Sequence, residues 1–64
     1  MNSKKRKKLI EVALRELGGQ ATTKQIAERV GLNTNGVSQT LGYMPNVKMV
    51  YRGKGSLAEW ELVN

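Results

Sequence analysis

The sequence predicts an α+β domain, three helices followed by a two-stranded antiparallel β-hairpin, and three observations carry that prediction. Apolar residues recur at helical spacing as far as Met44, punctuated by Gly18, Gly19 and Gly31. After Pro45 the period changes to two, and β-branched and aromatic residues gather there. Sixty-four residues also suffice for a single domain only. A chain this short buries about 60% of the surface that its unfolded form exposes.

Ile10, Ala13, Leu14 and Leu17 stand at i, i+3, i+4 and i+7, flanked by Leu9 and Val12, which is the stripe of an amphipathic helix over about residues 4–17. Gly18-Gly19 ends it, because glycine takes the left-handed conformation of a helix C-terminus without strain. A second helix starts at Thr22, whose hydroxyl and the Gln25 amide make a capping box. Ile26, Ala27 and Val30 form its inner face and Gly31 stops it.

Asn35-Gly36 is a hairpin signal, but such a turn needs alternating apolar residues on both sides, and they are missing. Val37, Leu41 and Met44 stand instead at i, i+4 and i+7, with Asn33 placed to cap. The third helix is therefore expected over about residues 34–44, with Pro45 as its stop. Gly36 and Gly42 each cost it about 1 kcal/mol relative to alanine, so it depends on packing.

Strands are expected over residues 47–52 and 57–63, around Gly53-Lys54-Gly55-Ser56. Ala58, Trp60 and Leu62 share one face of the second strand, and Glu59 and Glu61 share the other. Trp60 is expected to close the core beneath the helices rather than to act as a stacking platform. In the first strand Val50 is expected inward. Glu59 and Glu61 read as a solvated strand face, not as paired catalytic carboxylates. The chain shows no internal repeat and no linker.

Composition removes several functions. There is no Cys and no His, hence no disulfide, no thiolate metal site, and neither the commonest general base nor the commonest metal ligand. No enzymatic activity, cofactor, metal or small-molecule ligand is expected. Gly53-Lys54-Gly55-Ser56 lacks the glycine spacing and the strand-to-helix setting of a phosphate loop. No apolar run approaches the roughly 20 residues of a membrane span. The basic start precedes no apolar signal segment either. A soluble, cytoplasmic chain with no membrane partner is expected, nucleoid-associated if its source is bacterial or phage.

The net charge of +6 favours a polyanionic partner, and its distribution says more. Lys4, Lys5, Arg6, Lys7 and Lys8 supply five of the eleven basic residues, whereas the other six face five acids. The excess charge is thus a patch at one end, either an N-terminal arm over residues 1–8 or the start of the first helix.

Three helices followed by a hairpin resemble the winged helix-turn-helix superfamily. Ala21-Thr22-Thr23-Lys24-Gln25-Ile26-Ala27-Glu28-Arg29-Val30-Gly31-Leu32 looks like its second helix and turn, and Trp60-Glu61-Leu62 looks like the return strand of its wing. The resemblance implies duplex-DNA binding with the third helix in the major groove. Z-form nucleic-acid-binding domains share the Ala-Thr-Thr entry and the late tryptophan. The Asn and Tyr of their recognition helix, however, fall on Ser38 and Gly42 here, which does not support that specificity. Rok-type bacterial silencers resemble the chain at Pro45 and at Arg52-Gly53, and that likeness implies a preference for AT-rich DNA.

With Val37, Leu41 and Met44 inward, the third helix offers Thr34, Asn35, Ser38, Gln39 and Tyr43 outward. Asn and Gln can pair bidentately with adenine, and a Thr methyl can touch thymine. This helix carries no charge at all, so phosphate affinity must come from elsewhere. The basic start can supply it. Cations in the first turns of a helix oppose its macrodipole, so a helix selected for stability alone would place acids there. Arg52 and Lys54 at the wing tip are the other expected contacts, on phosphates or in a narrow AT-rich minor groove. Thr23 and Lys24, opening the second helix, complete the expected set.

The leading reading is a double-stranded DNA binder, a small transcriptional regulator or nucleoid-type protein. The alternative is a winged helix that docks an acidic protein, for which an exposed apolar patch would be more usual. RNA is disfavoured, because side chains cannot enter the deep, narrow major groove of A-form helices. The chain shows no heptad seam, yet helix-turn-helix proteins often dimerise on palindromic sites, so a homodimer stays open.

Overall fold

In the computed structural model, which describes residues 3–54 and 57–63, the basic start is helical. The first helix, α1, spans Ser3–Glu16 and so takes in Lys4 through Lys8. Ile10, Ala13 and Leu14 are buried along one side of it, with Leu17 packed against the same cluster. The helix ends as expected of its glycines. Gly18 and Gly19 take φ of 93° and 88°, and the Gly19 N–H reaches the Leu14 carbonyl at 2.9 Å.

The chain then departs from the expected order, because Gln20–Thr22 is a short strand, β1. Helix α2 follows over Thr23–Val30 and carries the capping box complete: the Gln25 N–H donates to Thr22 Oγ1, and the Gln25 side chain accepts from the Thr22 N–H. Gly31 closes α2 in the left-handed conformation, φ 72°. A three-residue turn, Gly31-Leu32-Asn33, leads into α3 over Thr34–Tyr43, where Asn33 Oδ1 accepts from the Asn35 N–H. Met44 caps the far end. Strands β2, Val47–Tyr51, and β3, Glu59–Leu62, complete the chain.

The fold is α+β with three helices, but the antiparallel sheet has three strands and not two, in the order β1-β3-β2. β3 is central. It pairs with β1 through Ala21 and Trp60, and with β2 through Val47 and Leu62 and through Met49 and Trp60. Residues opposite each other in an antiparallel pair share a face. One face therefore turns Ala21, Val47 and Trp60 onto the helices, into a cluster with Ile10, Leu14, Ile26, Val37 and Leu41. The other face presents Gln20, Lys48, Glu59 and Glu61.

Val50 is not the inward residue of β2; it is exposed, and Val47 is the buried one. The register slips between Met49 and Tyr51, so Val50 is an inserted residue with no partner on β3. Alternation from the buried Val47 already turns Val50 to the opposite face with Lys48, and the bulge leaves it without a partner. The ladder is also shorter than residues 47–52 and 57–63, because Arg52 and Leu57 lie beyond its ends.

Trp60 is buried as expected, and its indole N–H donates to Thr23 Oγ1 at 2.8 Å. The Thr23 hydroxyl and backbone N–H in turn both address the Ala58 carbonyl, at 3.4 and 3.0 Å. The one large indole of the core thus has its polar atom satisfied, and this bond ties the start of α2 to β3. Among the described residues no helix is long and apolar enough to cross a membrane.

Candidate nucleic-acid interface

Lys4, Lys5, Lys7 and Lys8 are exposed in the first turns of α1, and that first turn holds no acidic residue. Arg6 lies among them but does not share their setting. It stands four residues before the fully buried Ile10, so it continues the inner stripe of the helix. Its side chain is half-buried, and its Nε is shut off from solvent without a hydrogen-bond acceptor. Its Nη1 would lie 3.7 Å from a Cβ built on Gly36. The guanidinium thus lies over the first turn of α3, with room between them for a methyl group. The start of α1 and the start of α3 are thereby joined.

On α3, Val37, Thr40 and Leu41 are buried. Thr40 hides its hydroxyl by donating to the Gly36 carbonyl at 2.8 Å. Asn35 and Gln39, one turn apart, are exposed, while Thr34 and Ser38 are half-buried at the margin. Tyr43 is the most exposed of the large hydrophobic residues among those described, at 74%. The face is polar, uncharged and reachable.

Thr23 does not belong to it. Its exposure is 0%, and its hydroxyl is engaged by Trp60 and Ala58, so Thr23 is a core residue and not a contact residue. The polarity of a Thr-Thr pair suggests surface, but only Thr22 caps. Thr23 faces inward because the Trp60 indole needs an acceptor there. Lys24, its neighbour, is exposed.

Arg52 and Lys54 are exposed beyond the end of β2. The Leu57 N–H donates to the Lys54 carbonyl at 3.1 Å, and a Cβ on Gly53 would stand 2.6 Å from the Leu57 carbonyl oxygen. Only glycine fits at residue 53. Gly55 and Ser56 of the expected wing tip lie outside the described residues.

Away from these regions the cations are largely answered. Arg15 pairs with Glu11 at 3.0 Å and Arg29 with Glu16 at 3.2 Å. Lys48 stands opposite Glu61 on the outer sheet face. The positive surface is thus concentrated at the start of α1, beside α3, with smaller contributions from Lys24, Arg52 and Lys54.

Reading the sequence alone misses the approach of Arg6 to Gly36. The available signal is the spacing of Arg6 from Ile10, which puts it on the inner side of α1. Comparison with protein-family models, with curated proteins and with solved structures finds no match to this chain.

Proposed function

We propose that this protein binds double-stranded DNA as a small winged helix-turn-helix regulator or nucleoid-type protein, by binding alone and without chemistry. On this reading Asn35 and Gln39 on α3 face the base edges of the major groove, and Lys4, Lys5, Arg6, Lys7 and Lys8 neutralise flanking phosphates. Lys24, Arg52 and Lys54 add contacts to the backbone or the minor groove. One observation carries the reading: an uncharged polar helix face lies beside a lysine-rich helix start, joined to it by Arg6 on Gly36. In specific complexes, phosphate contacts position the protein and base contacts specify the sequence. A lysine-rich helix start suits the first task and an uncharged polar helix face suits the second.

The test is a titration with an AT-rich and a GC-rich duplex at several salt concentrations, followed by backbone amide shifts. With about five phosphates neutralised, log K against log salt should fall with a slope of about −4 to −5. Shifts should concentrate in the first turns of α1 and the first half of α3, sparing Glu59 and Glu61 on the outer sheet face. Binding without salt dependence, or shifts confined to the outer sheet face, would overturn the proposal.

A further inference from the structure

Five cations open α1, and the sequence treats them as one block. Arg6 differs from the rest in both chemistry and place. Lys4, Lys5, Lys7 and Lys8 are exposed, and an ammonium is a point charge without a fixed fork of donors. Arg6 is half-buried, its Nη1 rests against the first turn of α3, and its Nε has neither solvent nor an acceptor. The two ion pairs among the described residues, Arg15–Glu11 and Arg29–Glu16, leave it out.

A buried Nε–H without an acceptor destabilises the free protein. Its position on the inner stripe, four residues before Ile10, is one where an apolar side chain of the same length would pack without that penalty. No outside acceptor reaches the buried Nε, but the two Nη atoms are not buried with it and can take one. The guanidinium fork matches a phosphate through two parallel hydrogen bonds, whereas an ammonium does not.

We propose that Arg6 is the registering residue of the interface. It takes one backbone phosphate at a fixed position relative to α3, so that Asn35 and Gln39 meet base edges in a single register. The four lysines around it supply affinity without direction. This inference rests on the reading of the chain as a duplex-DNA binder, and it assigns Arg6 a share of sequence discrimination that a phosphate contact from an exposed lysine would not have.

Three full-length single variants test it: Arg6→Met, which keeps an unbranched stem and removes the charge; Arg6→Lys, which keeps the charge and removes the fork; and Lys5→Met, an exposed control. Each is measured by thermal unfolding without DNA. Each is then titrated, across a salt series, with the tightest-binding duplex from a randomised pool and with an unrelated GC-rich duplex. Arg6→Met is expected to unfold at the same or a higher temperature than the parent. It should nevertheless lose at least about tenfold more affinity than Lys5→Met on the selected duplex, the size of a charge-assisted hydrogen bond. Both Met variants should reduce the salt slope by about 0.9. Arg6→Lys should keep the slope and lose discrimination between the two duplexes.

If Arg6→Met and Lys5→Met weaken both duplexes alike and Arg6→Lys matches the parent, Arg6 is one more charge and the inference is overturned while DNA binding stands. A lowered unfolding temperature with unchanged binding overturns it in favour of a packing role. A parent that binds neither duplex at low salt overturns the inference together with the reading beneath it.

Discussion

The start of α1 and the first turn of α3 lie side by side, yet their contents are opposite. One carries five cations within residues 4–8; the helix of the other, from Thr34 to Tyr43, carries no charge at all. Taken singly, each has a plain explanation, since lysine blocks are often solvated tails and exposed Asn and Gln are common on helices. Their apposition through Arg6 and Gly36 is harder to explain by stability. Cations at a helix N-terminus oppose the macrodipole by about 0.3–1 kcal/mol for each well-placed charge. Two glycines within α3 cost about 1 kcal/mol each relative to alanine. Both regions thus give up stability in the free protein, and they do so side by side. A surface that meets a polyanion with one part and reads it with the other accounts for both losses.

The strongest way to break this comparison is to discharge one side of it. Replacing Lys4, Lys5, Lys7 and Lys8 together by alanine should flatten the dependence of log K on log salt by about 3 to 4 and weaken every duplex alike. The fold should survive, with α1 no less stable, since alanine favours helix and the removed charges oppose the dipole. A salt slope equal to that of the parent would show that these lysines do not lie on phosphates. The two regions would then be neighbours by accident.

The converse change sharpens it. Asn35→Ala and Gln39→Ala should each cost about 1–3 kcal/mol on the preferred duplex while leaving sequence-independent binding in place. Both side chains are exposed, so the unfolding midpoint should not move. If either variant weakens all duplexes equally, α3 contributes contact without reading.

What the sequence reveals of this molecule follows the range of the forces involved. The Thr22–Gln25 capping box, the Asn33 cap and the glycine stops are chemistry between neighbours, and they stand where the sequence puts them. The inward stripe of Ile10, Ala13 and Leu14 and the burial of Val37, Leu41 and Trp60 follow from periodicity. β1 is different. Gln20, Ala21 and Thr22 have no alternation long enough to read, and they become a strand because Glu61, Trp60 and Glu59 offer them a ladder. Val50 is misjudged for a related reason, since the phase of β2 is set by Val47 and Met49 opposite Leu62 and Trp60 and not by its own apolarity. Thr23 is read as surface because it is polar, whereas its place is set by an indole thirty-seven residues away. In the candidate site, the exposure of Asn35 and Gln39 is legible from the opposite face of their helix. The separate standing of Arg6 is not, because a block of like charges conceals which member faces inward.

The two glycines of α3 allow the finest test, since they bear on the two sides of the comparison. A Cβ at Gly36 would meet Arg6 Nη1 at 3.7 Å, an ordinary contact, whereas one at Gly42 would meet nothing within 4 Å. Neither glycine has the positive φ that would strain an alanine. Gly36→Ala and Gly42→Ala should therefore each stabilise the protein by up to about 1 kcal/mol. In a domain of this size that raises the unfolding midpoint by about 4–8 °C. Their effects on binding should differ. The Gly36 methyl would sit beneath Arg6, inside the molecule, and leave duplex affinity near that of the parent. Gly42 shares the outward face of Gln39, three residues before it, and of Asn35, two turns before it. A methyl there would stand between the α3 backbone and whatever approaches it. Gly42→Ala should accordingly be the more stable protein and the weaker binder, with a loss of a few-fold, about 1 kcal/mol or less. Should both variants gain stability and bind as the parent does, only the first half of α3 would come close to the nucleic acid. The reading surface would then shrink to Asn35, Ser38 and Gln39, directly beside Arg6.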